Sequence, residues 1–190
     1  MEEGGSMEEE PFEEDITIDC GIVVLRRFRM EDVDDIAEQI NDRGISRYTL
    51  NIPHPYGPDD AINFIDKNMK WFDEGSALNL AIAEKDFDRV IGGIGLMNIE
   101  WQNRACEIGY WLGRKHWGQG IMPEAVRGLV AYGFDKLKLH RISAVIFAPN
   151  IRSSRVMEKC GFFMEGTLRD RYILEDGPVD GRVYSILSKD

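Results

Sequence analysis

The sequence predicts an α/β domain built on a mixed sheet. Three observations carry that reading. Apolar runs of strand length alternate along the chain with segments of helical period, a basic glycine-containing turn joins one such strand directly to a helix, and no linker or repeat divides the chain. With 190 residues, one domain buries roughly 70% of its unfolded surface, enough for a full core without disulfides or metals.

Each element has its own signal. Residues 22–28 read as a strand, and residues 31–41 place Val33, Ile36, Ala37 and Ile40 at helical spacing. Pro58 opens a second helix that carries Ala61, Ile62, Phe64, Ile65, Met69 and Phe72 on one side, and the residues between the two helices read as a long loop. Residues 78–83 and 90–98 pair as a hairpin about the polar run 85–89, and residues 104–112 form the next strand. A helix over 122–137, a strand over 141–147, a helix over 153–159 and strands near 162–172 and 182–187 complete the order β-α-α-β-β-β-α-β-α-β-β. Gly92, Gly93 and Gly95 lie inside an apolar strand, where glycine marks a bulge or close backbone packing.

Charge is unevenly divided. Of the net charge of −11, residues 1–15 hold −8 with no basic residue, leaving −3 for the remaining chain. Residues 1–15 therefore read as an acidic, disordered tail, and residues 16–190 as the domain. Nothing basic enough for a nucleic-acid partner is present. Cys20, Cys106 and Cys160 are odd in number and far apart, and no histidine stands at ligand spacing, so neither a disulfide framework nor a metal site is expected. An acidic N-terminus without an apolar span points to a cytoplasmic protein with no membrane partner.

The chemistry concentrates in the turn after residue 112. Gly118 and Gly120 permit close backbone approach to a ligand, the first turn of the following helix offers unpaired amides, and Arg114 and Lys115 add positive charge. That combination suits a phosphate. It is neither a P-loop nor a dinucleotide fingerprint, since the Lys-Ser/Thr ending of the one and the third glycine of the other are missing.

A second segment narrows the reading. Lys115-His116-Trp117-Gly118-Gln119-Gly120 and Asn150-Ile151-Arg152-Ser153-Ser154-Arg155-Val156-Met157-Glu158-Lys159-Cys160-Gly161-Phe162 together resemble the acetyl-CoA-binding core of the GNAT acetyltransferase superfamily. Lys115 replaces the usual Gln or Arg of the loop. The second segment is similar to the ribosomal-protein N-acetyltransferase (RimJ/RimL-like) branch, as are residues 52–56, 105–112, 165–169 and 180–184, so the resemblance spans about residues 20–188. It implies a GNAT-type mixed, mostly antiparallel twisted sheet flanked by helices on both faces. It also implies acetyl-CoA as co-substrate without a metal, held by Tyr110, Trp111, Leu112, Arg114, Lys115, His116, Trp117, Gly118, Gln119, Gly120, Ile121, Asn150 and Ser153. The acceptor is expected to be a protein N-terminal amine or a small amine, and the enzyme a monomer or homodimer.

Acetyl transfer from a thioester to an amine needs a neutral amine, an oxyanion partner and a proton for the thiolate. Glu107, whose strand neighbours Cys106 and Ile108 point to the other face, is expected to enter the cleft and, by the resemblance, to deprotonate the amine through water. The alternative is that it orients substrate or pairs with an arginine. Ser153 stands where a helix N-cap is favoured, and the resemblance places it near the CoA sulfur as proton donor, with Asn150 on the pantetheine arm. Other GNAT branches use a tyrosine there, which leaves Tyr172 and Tyr184 as alternative acids, and a backbone amide near Tyr110 or Trp111 is expected to meet the oxyanion. His54, His116 and His140 show no triad spacing, and Cys106 has no adjacent histidine to activate it, so direct attack is expected over an acyl-enzyme. The acceptor expected is a protein N-terminal α-amine, which loses its proton near about pH 8, against about 10.4 for lysine. Polyamines, aminoglycosides and a non-catalytic acetyl-CoA-binding module are the alternatives. The acceptor side is expected to be lined by residues 43–57, which carry no readable code.

Overall fold

The aliphatic runs assemble into one eight-stranded sheet in the computed structural model, which describes residues 12–174 and 176–190. The strands are β1 (Thr17–Asp19), β2 (Val23–Arg27), β3 (Leu78–Glu84), β4 (Val90–Glu100), β5 (Ala105–Leu112), β6 (Arg141–Phe147), β7 (Phe163–Leu174) and β8 (Gly177–Leu187). Their spatial order is β1-β2-β3-β4-β5-β6-β8-β7, and every neighbouring pair is antiparallel except β5 and β6. The helices are α1 (Val33–Ile40), α2 (Arg43–Ser46), α3 (Pro58–Asp73), α4 (Ile121–Asp135) and α5 (Ile151–Lys159). Among the described residues, no helix is long and apolar enough to cross a membrane.

Two apolar layers enclose the sheet, as an amphipathic helix on each face requires. On one face Leu25, Leu80, Ile94, Ile108 and Ile142 meet Ala125, Val126 and Leu129 of α4 and Met157 of α5. On the other, Phe28, Ala81 and Trp111 meet Ile36 and Ile40 of α1, Ile45 of α2 and Ile65 of α3. Gly93 serves close packing, because a Cβ there would strike the Trp111 indole. The mixed α/β sheet with helices on both faces is the architecture expected from the sequence.

Some boundaries move. Strand β1 has only three residues, too short for a period to show, and α2 is a single turn inside the segment read as loop. Strands β7 and β8 extend to Leu174 and from Gly177, well beyond the predicted pair. Pro178 sits inside β8 although proline donates no ladder bond. It can do so because the β6–β8 pairing ends at Phe147 opposite Gly181, leaving that end of β8 with a strand on one side only. Phe12, assigned by sequence to the acidic tail, is buried against Phe72 and Trp101 at ring separations of 5.2 and 6.0 Å, while Glu13, Glu14 and Asp15 after it are exposed. The rest of the expected tail, residues 1–11, lies outside the described residues.

Charged contacts fix the outer strands. Arg26, buried in β2, grips Asp32 through two bonds of 2.9 Å and so sets the start of α1. Arg141 and the Ser185 hydroxyl both donate to Glu165 at 2.7 Å, tying β6, β7 and β8 together and holding the Glu165 carboxyl down to about 2 from its ordinary 4.5. A depressed carboxylate stabilises the fold above its unfolded pKa and loses that effect in acid. Urea midpoints of the wild-type protein should therefore fall as the pH drops from about 4.5 to about 2, and fall less in Glu165→Gln.

Candidate active site

The strand-to-helix turn forms a cradle. After Leu112 the chain makes a 3-10 turn over Arg114–His116, and Gly118 and Gly120 then take φ of +78° and +80° before α4 begins at Ile121. Trp117 Nε1 donates to the Leu112 carbonyl at 2.7 Å, and the Gln119 side chain donates to the Lys115 carbonyl at 2.9 Å, so the loop is braced by its own side chains. The amides of Gly118, Gln119 and Gly120 have no hydrogen-bond partner among the described residues, and a Cβ on either glycine would meet nothing within 4 Å. Open space beside unpaired amides at the positive end of a fifteen-residue helix fits a pyrophosphate.

A cavity of about 830 Å³ runs from this cradle along the sheet. Its origin is a fork. Strands β5 and β6 pair only from Ala105 opposite Arg141 to Glu107 opposite Ser143, although β5 continues to Leu112 and β6 to Phe147. Beyond the last rung the strands part, and Tyr110, Trp111 and Leu112 line the opening from one side while Asn150, Ser153 and Val156 of the α5 segment line it from the other.

Not every expected contact faces the cavity. Tyr110, Trp111, Leu112, Arg114, His116, Trp117, Gly118, Gly120, Ile121, Asn150 and Ser153 line it, whereas Lys115 and Gln119 do not. The Lys115 ammonium is drawn to Glu38 of α1 at 3.0 Å, and Arg114 is shared with Asp42 at 3.3 Å. Cations that the sequence reading did not single out take their place. Arg152, Arg155 and Lys159 of α5 line the cavity, with Arg152 stacked 4.8 Å from the Trp117 ring. Their recurrence at three- and four-residue spacing on a short helix was the signal available in sequence.

Helix α5 also corrects the assignment of its cap. Asn150, not Ser153, is the N-cap, since its Oδ1 accepts the Ser153 amide at 3.2 Å. The helix begins two residues earlier than predicted, which places Ser153 in the first turn with its hydroxyl released from capping. That hydroxyl lies 2.7 Å from the Tyr110 hydroxyl. Burial raises the Tyr110 phenol far above its ordinary range, against the opposing pull of the bond to Ser153. Asn150→Ala should accordingly lower stability by about 1 kcal/mol, the usual value of a cap, whereas any loss in Ser153→Ala should come from its bond to Tyr110, about 1 kcal/mol, and be absent when Tyr110 is already Phe.

Glu107 is exposed at the last paired rung of the fork and does not itself line the cavity. It shares a strand face with Trp111, the face covered by α1, α2 and α3, while Cys106 and Ile108 point into the α4 layer as expected. On that face Tyr48, Phe147 and Tyr172 form an aromatic row with ring separations of 6.4 and 4.3 Å, and Arg47 next to Tyr48 pairs with Asp176 at 2.7 Å. Gly44, Ile45, Tyr48 and Thr49 close the cavity on this side, whereas residues 50–57 of the segment expected to line the acceptor side do not border it. Tyr184 is out of reach as an acid, being buried with its hydroxyl directed to Glu158. Burial, with the charge of Glu107, pushes the Cys106 thiol up to about 12, which removes its nucleophilic form at neutral pH.

Comparison with known proteins agrees with this geometry. Residues 23–163 match the acetyltransferase (GNAT) domain family. An uncharacterised N-acetyltransferase of Bacillus licheniformis, p20, is 34% identical over 168 residues, which cover 88% of this chain and 94% of the relative. The ribosomal-protein-serine acetyltransferase of Escherichia coli is 35% identical over 98 residues, 52% of this chain and 55% of the relative. Among solved structures, a GNAT-family acetyltransferase from Bacillus anthracis superposes with a TM-score of 0.81 at 27% identity, covering 92% of this chain and all of the other.

Proposed function

Because the chain belongs to the GNAT acetyltransferase family and is therefore an acetyl-CoA-dependent N-acetyltransferase, we propose that its acceptor is a protein N-terminal α-amine, acetylated by direct attack. The observation that carries this reading is the fork. It opens to the glycine cradle, and an exposed carboxylate, Glu107, stands at its last paired rung on the sheet face that carries Phe147 and Tyr172. The 118–120 amides and Arg152, Arg155 and Lys159 would take the phosphates, and Asn150, capping through Oδ1, keeps its Nδ2 for the pantetheine arm. A water between Glu107 and the amine would carry off the proton, a task within reach for an α-amine near about pH 8 and much harder for a lysine. The partial match to a ribosomal-protein acetyltransferase supports a protein N-terminus, and the raised Cys106 thiol supports direct attack.

The test is thiol release from acetyl-CoA with three acceptors. They are a peptide with a free N-terminal serine or alanine and blocked lysines, the same peptide with a blocked N-terminus and free lysines, and spermidine. Release with the first alone is expected. Faster release with spermidine would assign the enzyme to small amines, and binding of acetyl-CoA without release to any amine would make the chain a binding module.

A further inference from the structure

We propose that Tyr110 is the positioning residue that aims the Ser153 hydroxyl proton at the sulfur of CoA, supplying from strand β5 the phenol that helix α5 lacks. The inference rests on the acetyl-CoA reading above. The half-buried phenol of Tyr110 has two acceptors within reach, both on one residue: Ser153 Oγ at 2.7 Å and the Ser153 carbonyl at 3.3 Å. The shorter contact has the length of a good O–H···O bond. With the Tyr110 proton assigned to Oγ, the shorter of two contacts and one in which either hydroxyl is able to donate, the hydroxyl hydrogen of Ser153 points elsewhere. Among the described residues it has no other acceptor, and the side chain faces the cavity between the parted strands. The capping duty that would otherwise hold Ser153 Oγ belongs to Asn150.

The consequence concerns the second half of the reaction. The amine lone pair forms the C–N bond and the carbonyl π pair moves to oxygen. On collapse that pair returns, and the C–S pair leaves on sulfur. Ser153, its proton already aimed, donates a hydrogen bond to the new thiolate, and the proton lost by the amine through solvent finally neutralises it. No charge is left on Ser153 or Tyr110. The raised phenol suits this part, because Tyr110 stays protonated, and so a donor, throughout the working pH range.

The test uses the product complex and needs no acceptor. Wild-type protein, Tyr110→Phe, Ser153→Ala and the double variant are loaded with CoA. The bound thiol is titrated by its ultraviolet thiolate absorbance against a desulfo-CoA blank, and affinity is measured by calorimetry. The wild-type complex should titrate about one pH unit lower than Tyr110→Phe, a tenfold change in the thiol–thiolate equilibrium. Ser153→Ala should match Tyr110→Phe, and the double variant should add nothing. Equal titration in wild type and Tyr110→Phe would overturn the inference alone, as would additive shifts in the double variant. Failure of wild-type protein to bind CoA would overturn the acetyltransferase reading beneath it.

Discussion

Replacing Gly118 and Gly120 together by valine should raise the dissociation constant for acetyl-CoA by about a hundredfold or more, which corresponds to roughly 2.7 kcal/mol. The reason lies in the backbone. Both residues hold positive φ, a region that costs a side chain-bearing residue about 1–2 kcal/mol each, while a Cβ at either position would meet nothing within 4 Å. The strain therefore cannot be discharged by moving a neighbour. It is relieved by turning the loop itself, and turning the loop points the 118–120 amides away from the pyrophosphate. Since both positions are exposed and no core contact is lost, the double variant should stay folded, with its thermal midpoint lowered by no more than the backbone strain it retains. Calorimetric titration of the folded double variant with acetyl-CoA checks both halves, and unchanged affinity would mean that phosphate is held elsewhere.

The cradle was legible in sequence because strand, glycine pair and helix are local in the chain. The fork was less so. That β5 and β6 pair for three residues and then part depends on which strands lie side by side, and an apolar run of eight residues looks the same whether its partner follows it to the end or leaves it. The fold class and most elements followed from periodicity, whereas β1 and α2 were too short to carry a period. At the site, the residue types at 107, 110, 150 and 153 suggested chemistry, but their division of labour did not show. Asparagine and serine both cap helices, and only the start of α5 at Ile151 decides that Asn150 does so and Ser153 is released. The pairing of Lys115 with Glu38 was hidden for a related reason, since Glu38 lies far away in sequence and adjacent in space.

Glu107→Gln should leave acetyl-CoA affinity intact and lower the turnover of a peptide N-terminus by about a hundredfold or more, the range expected for loss of general-base assistance. Affinity should survive because Glu107 stands at the last rung of the fork and not among the residues that line the cofactor cavity. The pH profile separates a base from a residue that only orients the amine. An α-amine is half neutral near about pH 8, so at about pH 6 nearly every productive encounter needs its proton removed, while at about pH 9 or 10 the amine arrives already neutral. A base is thus worth most in acid, and the ratio of wild-type to variant turnover should shrink steadily as the pH rises. An orienting carboxylate has no such dependence, because holding the amine in place helps its neutral form equally at every pH. A ratio that stays constant across this range would assign Glu107 to orientation, and a ratio near one would move the proton acceptor to another group at the mouth.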